Sequence, residues 1–163
     1  MAGLYTEAQR QKRDSSPWTT VQAILAPAQF LVCFISVFLI VRYMTTGEGL
    51  ALATYSILIK TGFLYTIMVT GAIWEKDVFG QYLFVEAFFW EDVFSMAVLF
   101  LHTLYLAMLV FDVGGTTLRL NVALAAYLTY FVNAGQFVWK LRLARLDAST
   151  SSRTAPRTGD LPA

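Results

Sequence analysis

Charges are spaced along this chain in a pattern that few folds can accept. None lies between Asp14 and Arg42, between Asp92 and Asp112, or between Arg119 and Lys140. Between Glu48 and Glu75 the only one is Lys60. A helix crossing the hydrocarbon core of a bilayer needs about 20 mostly apolar residues. In lipid only a helix satisfies its own backbone hydrogen bonds over that length. Four such gaps predict an all-α integral membrane protein. The expected form is a four-helix transmembrane bundle with spans over roughly 19–42, 50–73, 91–112 and 119–140. A chain of 163 residues could also make one soluble domain, but 57% hydrophobic and 14% charged residues argue against it.

Lysine and arginine set the orientation. With four spans, both tails share a side with the 74–90 segment. That side holds Arg10, Lys12, Arg13, Lys76, Lys140, Arg142, Arg145, Arg153 and Arg157, nine in all, whereas the opposite connections hold only Arg42 and Arg119. The positive-inside bias then puts the 1–14 tail, the 74–90 loop and the C-terminus in the cytoplasm. The first span is too long for a signal-peptide core and no small-residue cleavage site follows it, so it is expected to stay. Ser16-Pro17 reads as a capped helix start with Trp18 at the interface, and Pro27 is a candidate kink inside the first span. "TTGEG" (Thr45–Gly49) and "DVGGTT" (Asp112–Thr117) read as short external turns. Residues 147–163 are small, polar and proline-bearing, which predicts disorder. Cys33, the only cysteine, excludes an intramolecular disulfide and a cysteine-cluster metal site. No phosphate-cradling glycine motif, zinc-type histidine pair or nucleophile elbow is present.

Each expected span carries a polar residue that lipid makes expensive: Gln29, Lys60, His102, and Asn133 with Gln136. Hydrogen bonding between helices is one reading of the amides. Lys60 needs an anion, from this chain or from a ligand, or must lose its proton. His102 reads either as a satisfied core residue or as a ligand or catalyst. At 100° per residue, Glu91, Ser95 and His102 fall within about 40° of one another, a polar stripe along one face. Asp92 lies 100° from Glu91, so only one of these two carboxylates is expected to face the bundle. Five of the eleven acidic residues, Glu75, Asp77, Glu86, Glu91 and Asp92, fall between positions 75 and 92, among Trp74, Phe79, Tyr82, Phe84, Phe88, Phe89 and Trp90. An interfacial belt would explain the tryptophans and the tyrosine. A half-buried lid over a flat apolar molecule would explain the phenylalanines and the acids as well.

The stretches "SPWTTVQAILAPAQFLV" (Ser16–Val32), "RYMTTGEG" (Arg42–Gly49), "LYTIMVTGAIWEKDVFGQYLF" (Leu64–Phe84), "AFFWEDVFSM" (Ala87–Met96) and "LHTLYL" (Leu101–Leu106) together resemble the 3-vinyl-bacteriochlorophyllide hydratase family of phototrophic bacteria. The match runs over roughly residues 15–146. It implies a multi-pass enzyme of the bacterial inner (intracytoplasmic) membrane that adds water to the C3 vinyl group of chlorophyllide a or its bacteriochlorin counterpart, giving a 1-hydroxyethyl group. Expected partners are that substrate, membrane lipid and other enzymes of bacteriochlorophyll synthesis, with no nucleic acid. No cofactor is expected, since the magnesium belongs to the substrate.

Hydration of a vinyl group begins with protonation of its terminal carbon, followed by attack of water on the ring-attached carbon. That sequence needs a proton donor, a base that positions water, and negative charge near the cation. Glu91 is the first expected catalytic residue because it begins the polar stripe; Glu75 is second, with Asp92 beside them. Asp77 and Glu86 are expected to be solvated or paired with Lys76. Under the resemblance His102 becomes a candidate axial ligand of the chlorin magnesium or a proton carrier. Lys60 would pair with the substrate's propionate, Glu75 or Glu91, and Trp74 and Trp90 would wall the substrate. Two other readings compete. A non-enzymatic protein that binds, delivers or scaffolds a tetrapyrrole would need the histidine and aromatics but fewer carboxylates. A small transporter or assembly factor would use Lys60 and His102 in a polar pathway, but the duplicated helix pairs of many transporters are not apparent.

Overall fold

A computed structural model describes residues 4–154; the side chains of 144 and 147–154 lie outside that description. The described residues form five helices and no strand: α1 (Glu7–Ser15), α2 (Pro17–Thr46), α3 (Leu50–Phe79), α4 (Phe89–Val110) and α5 (Gly115–Thr154). Glycines punctuate the long ones. Gly47 closes α2 with φ 75°, Gly49 precedes α3 with φ 86°, and Gly80 closes α3 with φ 84°. In the left-handed region the missing Cβ removes the steric penalty. Ser16 holds the N-cap of α2, with proline in the first turn as expected, although its hydroxyl makes no capping bond. Helix α2 runs on through Pro27.

Three helices, α2, α3 and α4, are long and apolar enough to cross a membrane. Their outward residues support that reading: Phe34, Phe38, Ile59, Val69 and Phe100 are all more than half exposed. A helix apolar on every face is at home in a core or in lipid. Helix α5 falls short of the same standard among the described residues, because its apolar run is interrupted by Asn133 and Gln136 before Lys140. It nevertheless shares the core. Ser36 on α2 is hydrogen-bonded at 2.7 Å to both Ser56 of α3 and Tyr127 of α5. Around this network pack Cys33, Ile40, Ile57, Val98, Tyr105, Leu120 and Tyr127. Bonds of this kind between helices in lipid average about 0.6 kcal/mol each, so they fix register more than they add stability.

The register is legible from paired groups. Gln22 donates to Thr70 Oγ1 at 2.7 Å and Trp74 donates to Thr19 Oγ1 at 2.9 Å, so α2 and α3 run antiparallel. Asn133 donates to Ser95 at 2.8 Å, and the His102 and Tyr127 rings lie 5.6 Å apart, so α4 and α5 do likewise.

Three expectations change. The loop expected at 74–90 is confined to residues 80–88, because Trp74–Phe79 continue α3 until Gly80 stops it, while Phe89 and Trp90 already belong to α4. Within 1–14 there is a helix, α1, started by a reciprocal cap in which Gln9 N–H donates to Thr6 Oγ1 and Thr6 N–H to Gln9 Oε1. The disorder expected over 147–163 overlaps the end of α5 as far as Thr154, and 155–163 lies outside the described residues.

Candidate active site

The acidic residues singled out by the sequence meet where α3 ends and α4 begins. Glu75 and Asp92 are both buried, at 5% and 3% exposure, and lie near enough for their carboxyl groups to interact, with Glu75 Oε2 making no hydrogen bond to any other group. Two buried carboxyl groups side by side repel when both are ionised, which favours one of them keeping a proton. The second Asp92 interaction is with the connecting loop, where Phe84 N–H donates to Oδ2 at 2.7 Å. Phe84 has φ 58°, a left-handed conformation uncommon outside glycine. The loop is therefore held in a costly conformation against the carboxyl pair, a pattern found where structure serves function.

Glu91, one residue earlier, points elsewhere. Its Oε2 accepts from Lys140 of α5 at 2.6 Å, and the same ammonium also donates to the carbonyl of Ala87. Only one of these neighbours was expected to face the bundle, yet both are buried. The reason is the corner position of α4. A turn of 100° carries the side chain from α5 on one flank to α3 on the other. Glu91 is thus ion-paired, whereas Glu75 and Asp92 form a buried couple in which keeping one proton is favoured.

Aromatic side chains cover this couple. Phe79 follows Glu75 by four residues on α3. Phe88 precedes Asp92 by four, with Asp92 N–H donating to Phe88 C=O at 3.0 Å. Each ring therefore sits one helical turn, about 6 Å, outward of its carboxyl group. Their centroids are 5.8 Å apart, edge to face, with Trp74 edge-on to both and Phe137 of α5 stacked on Phe88. Tyr5, ahead of α1, lies on the outer side of the same group. Trp90 takes no part: it is 65% exposed and faces outward, correcting its expected place in the wall. Glu86 is exposed, Asp77 pairs with Lys12 at 3.3 Å, and Lys76 donates to Gly80 C=O rather than to a carboxylate.

Lys60 and His102 lie deeper. Lys60 is fully buried, with its ammonium 3.8 Å from the centre of the Tyr130 ring. Neither Glu75 nor Glu91 pairs with it, correcting that expectation; fifteen residues of α3, about 22 Å of helix, separate it from Glu75. His102 is 1% exposed and about 15 Å along α4 from Asp92. Its Nδ1 lies 2.8 Å from the Val98 carbonyl, which makes Nδ1 the protonated nitrogen and leaves Nε2 as the acceptor. Nε2, Lys60 Nζ, Asn133 Oδ1 and both polar atoms of Gln29 are buried without a protein partner. Groups so placed are the ones internal water satisfies. A polar column thus runs from Asp92 past Ser95 and Asn133 to His102 and Lys60. The sequence reading singled out neither Lys140 as the partner of Glu91 nor Tyr5. Lys140 gives no local signal, but the Thr6-x-x-Gln9 capping box could have marked the structured segment beside Tyr5.

The sequence pattern of the 2-vinyl bacteriochlorophyllide hydratase family matches residues 5–143, so the similarity takes in Tyr5 and α1. A relative from Cereibacter sphaeroides, named 2-vinyl bacteriochlorophyllide hydratase, is 66% identical over 144 residues, 88% of this chain and 89% of its own length. A relative of the same name from Rhodobacter capsulatus is 63% identical over 147 residues, 90% of this chain and 85% of its own. No solved structure matches the chain.

Proposed function

Since the chain belongs to the 2-vinyl bacteriochlorophyllide hydratase family, we propose that it adds water to the vinyl group of a chlorophyllide or bacteriochlorophyllide, with the Glu75–Asp92 couple as its acid and base. The observation that carries the assignment is a pair of buried carboxyl groups in mutual contact, walled by aromatics. The couple gives its proton to the terminal vinyl carbon. The carbon attached to the macrocycle becomes cationic, and conjugation spreads the charge. Water adds there, and the proton it sheds returns to the couple. The net change is one water gained, with no electron transferred and no cofactor used, the magnesium being part of the substrate.

Glu91 moves from first place to a supporting role, because an ion-paired carboxylate has no proton to give. It fixes α4 against α5 through Lys140. His102 acts as a carrier of water or protons in the polar column rather than as a magnesium ligand, since Tyr127 and the surrounding helices enclose it. Lys60 belongs to the same column, and Trp74 to the substrate wall. Helix α5 is the fourth span, supported by its place in the common core and by the nine-to-two distribution of basic residues. Both termini and the carboxyl couple then face the cytoplasm, in a lipid bilayer shared with other enzymes of the same synthesis.

The test uses the purified chain in lipid nanodiscs, given a vinyl-bearing chlorophyllide in water enriched in oxygen-18. The expected product is a hydroxyethyl pigment carrying the label. Pigment that binds but is never hydrated would overturn the enzyme reading in favour of a tetrapyrrole carrier.

A further inference from the structure

The segment ahead of the first long helix places an aromatic ring against Phe79 and Phe88, beside the carboxyl couple. Tyr5 is 93% buried although it belongs to a polar stretch. Its ring stacks on Phe79 at 5.7 Å, inclined by 25°, and lies 6.3 Å from Phe88. These two rings stand one turn outward of Glu75 and Asp92. The Tyr5 hydroxyl is buried without a hydrogen-bond partner, while the Arg13 guanidinium lies 4.9 Å over the ring. A buried hydroxyl without a well-formed hydrogen bond is costly, so the ring is held here by stacking and by Arg13 rather than by its polar end.

The attachment of the segment is light and local. Helix α1 contributes no buried residue. The ion pair that ties it to α3 is Lys12–Asp77, on the surface, where such contacts are weak. Its junction with α2 is Ser16, in an extended conformation, and Thr19 at the start of α2 accepts from Trp74 and donates to the Arg13 carbonyl. Displacing residues 4–15 about Ser16 would break the Thr19–Arg13 bond and the Lys12–Asp77 pair and unseat Tyr5. Around the vacated space would stand Phe79, Phe88 and Trp74.

We propose that Tyr5 is a place-holder: the substrate macrocycle displaces it, stacks on Phe79 and Phe88, and sends its vinyl group inward to the Glu75–Asp92 couple. The proposal rests on the hydratase reading and deepens it by naming the seat.

The experiment tethers the segment. Cysteines replace Lys12 and Asp77, and a short thiol-cleavable crosslinker joins them; Cys33 is fully buried and out of reach. Tethered protein should lose pigment binding and turnover, and cleaving the tether should restore both. In a second variant, Tyr5→Ala removes the competitor, and KM should fall about 2- to 12-fold, the range an aromatic pair represents. Full turnover by the tethered protein, or a KM that is unchanged or raised in Tyr5→Ala, would overturn the seat. Absence of product from the unmodified chain would instead count against the hydratase reading.

Discussion

Replacing either member of the carboxyl couple with its amide separates acid-base chemistry from packing. Asn at position 92 keeps an oxygen for Phe84 N–H, whose bond to Asp92 is 2.7 Å, and its amide can still reach Glu75. Gln at position 75 likewise keeps the size and a hydrogen-bonding edge. Neither amide can pass on the shared proton. General acid-base contributions of about 100- to 10,000-fold correspond to about 2.7–5.4 kcal/mol of barrier. Both Glu75→Gln and Asp92→Asn should lose turnover within that range, with pigment affinity changed much less. Because the two residues act as one unit, the double variant should be no slower than the worse single one by more than about threefold. Asp92→Ala differs in kind: it strips the partner from Phe84 N–H and should also lower stability by about 1–3 kcal/mol. The assay is hydroxyethyl product formation by single-turnover mass measurement, beside an absorbance titration of bound pigment. Normal hydration rates in both amide variants would refute the couple as acid and base. Strictly additive losses in the double variant would refute the shared proton.

Lys140→Met leaves Glu91 buried and unpaired, and the part exposure of Lys140 places the expected loss near the low end, about 3 kcal/mol. Thermal midpoints should recover in the Glu91→Gln/Lys140→Met double variant, and failure to recover would mean that the pair is not a unit. Lys60→Met should accumulate and melt like the parent, because no carboxylate is left behind and an unpaired buried ammonium is replaced by an apolar chain; a collapse in accumulation would show that the ammonium holds an essential partner. Reporters fused at Gly47 and Gly114 should report the face opposite to one at Gly80, and agreement between Gly80 and Gly47 would exclude four spans.

How far the sequence could be read depended on which interactions are local. Charge-free gaps located α2, α3 and α4 because lipid acts on each helix by itself. The same rule located α5 as a helix, but its polar groups face neighbours that composition cannot see. The acidic, aromatic 74–90 segment looked like a loop because charge usually marks water. Instead Glu75 and Asp92 are both buried, and helix gives way only over residues 80–88. Helical angle correctly separated Glu91 from Asp92, yet it could not tell that α4 has a neighbour on each flank. Lys140 and Tyr5 come from distant parts of the chain, and contacts of that kind depend on how the helices pack.

The division between Glu91 and Asp92 has an electrostatic consequence for the reaction. Lys140 stands 5.2 Å from the Phe88 ring, on which the proposed mechanism seats the substrate. An unpaired ammonium there would oppose the cation; joined to Glu91, it forms a neutral pair whose field fades quickly with distance. The Glu75–Asp92 couple then dominates. Before reaction, in the proposed mechanism, it carries one negative charge, one of its two carboxyl groups holding the proton. Donating that proton leaves two carboxylates facing the cation just formed, so negative charge rises in step with the positive charge it stabilises. Like-charge repulsion within the couple grows at the same moment and draws a proton back from the attacking water. The arrangement that makes the couple ready to protonate the vinyl carbon also resets it, which lets two carboxyl groups serve as acid, counter-charge and base in one turnover.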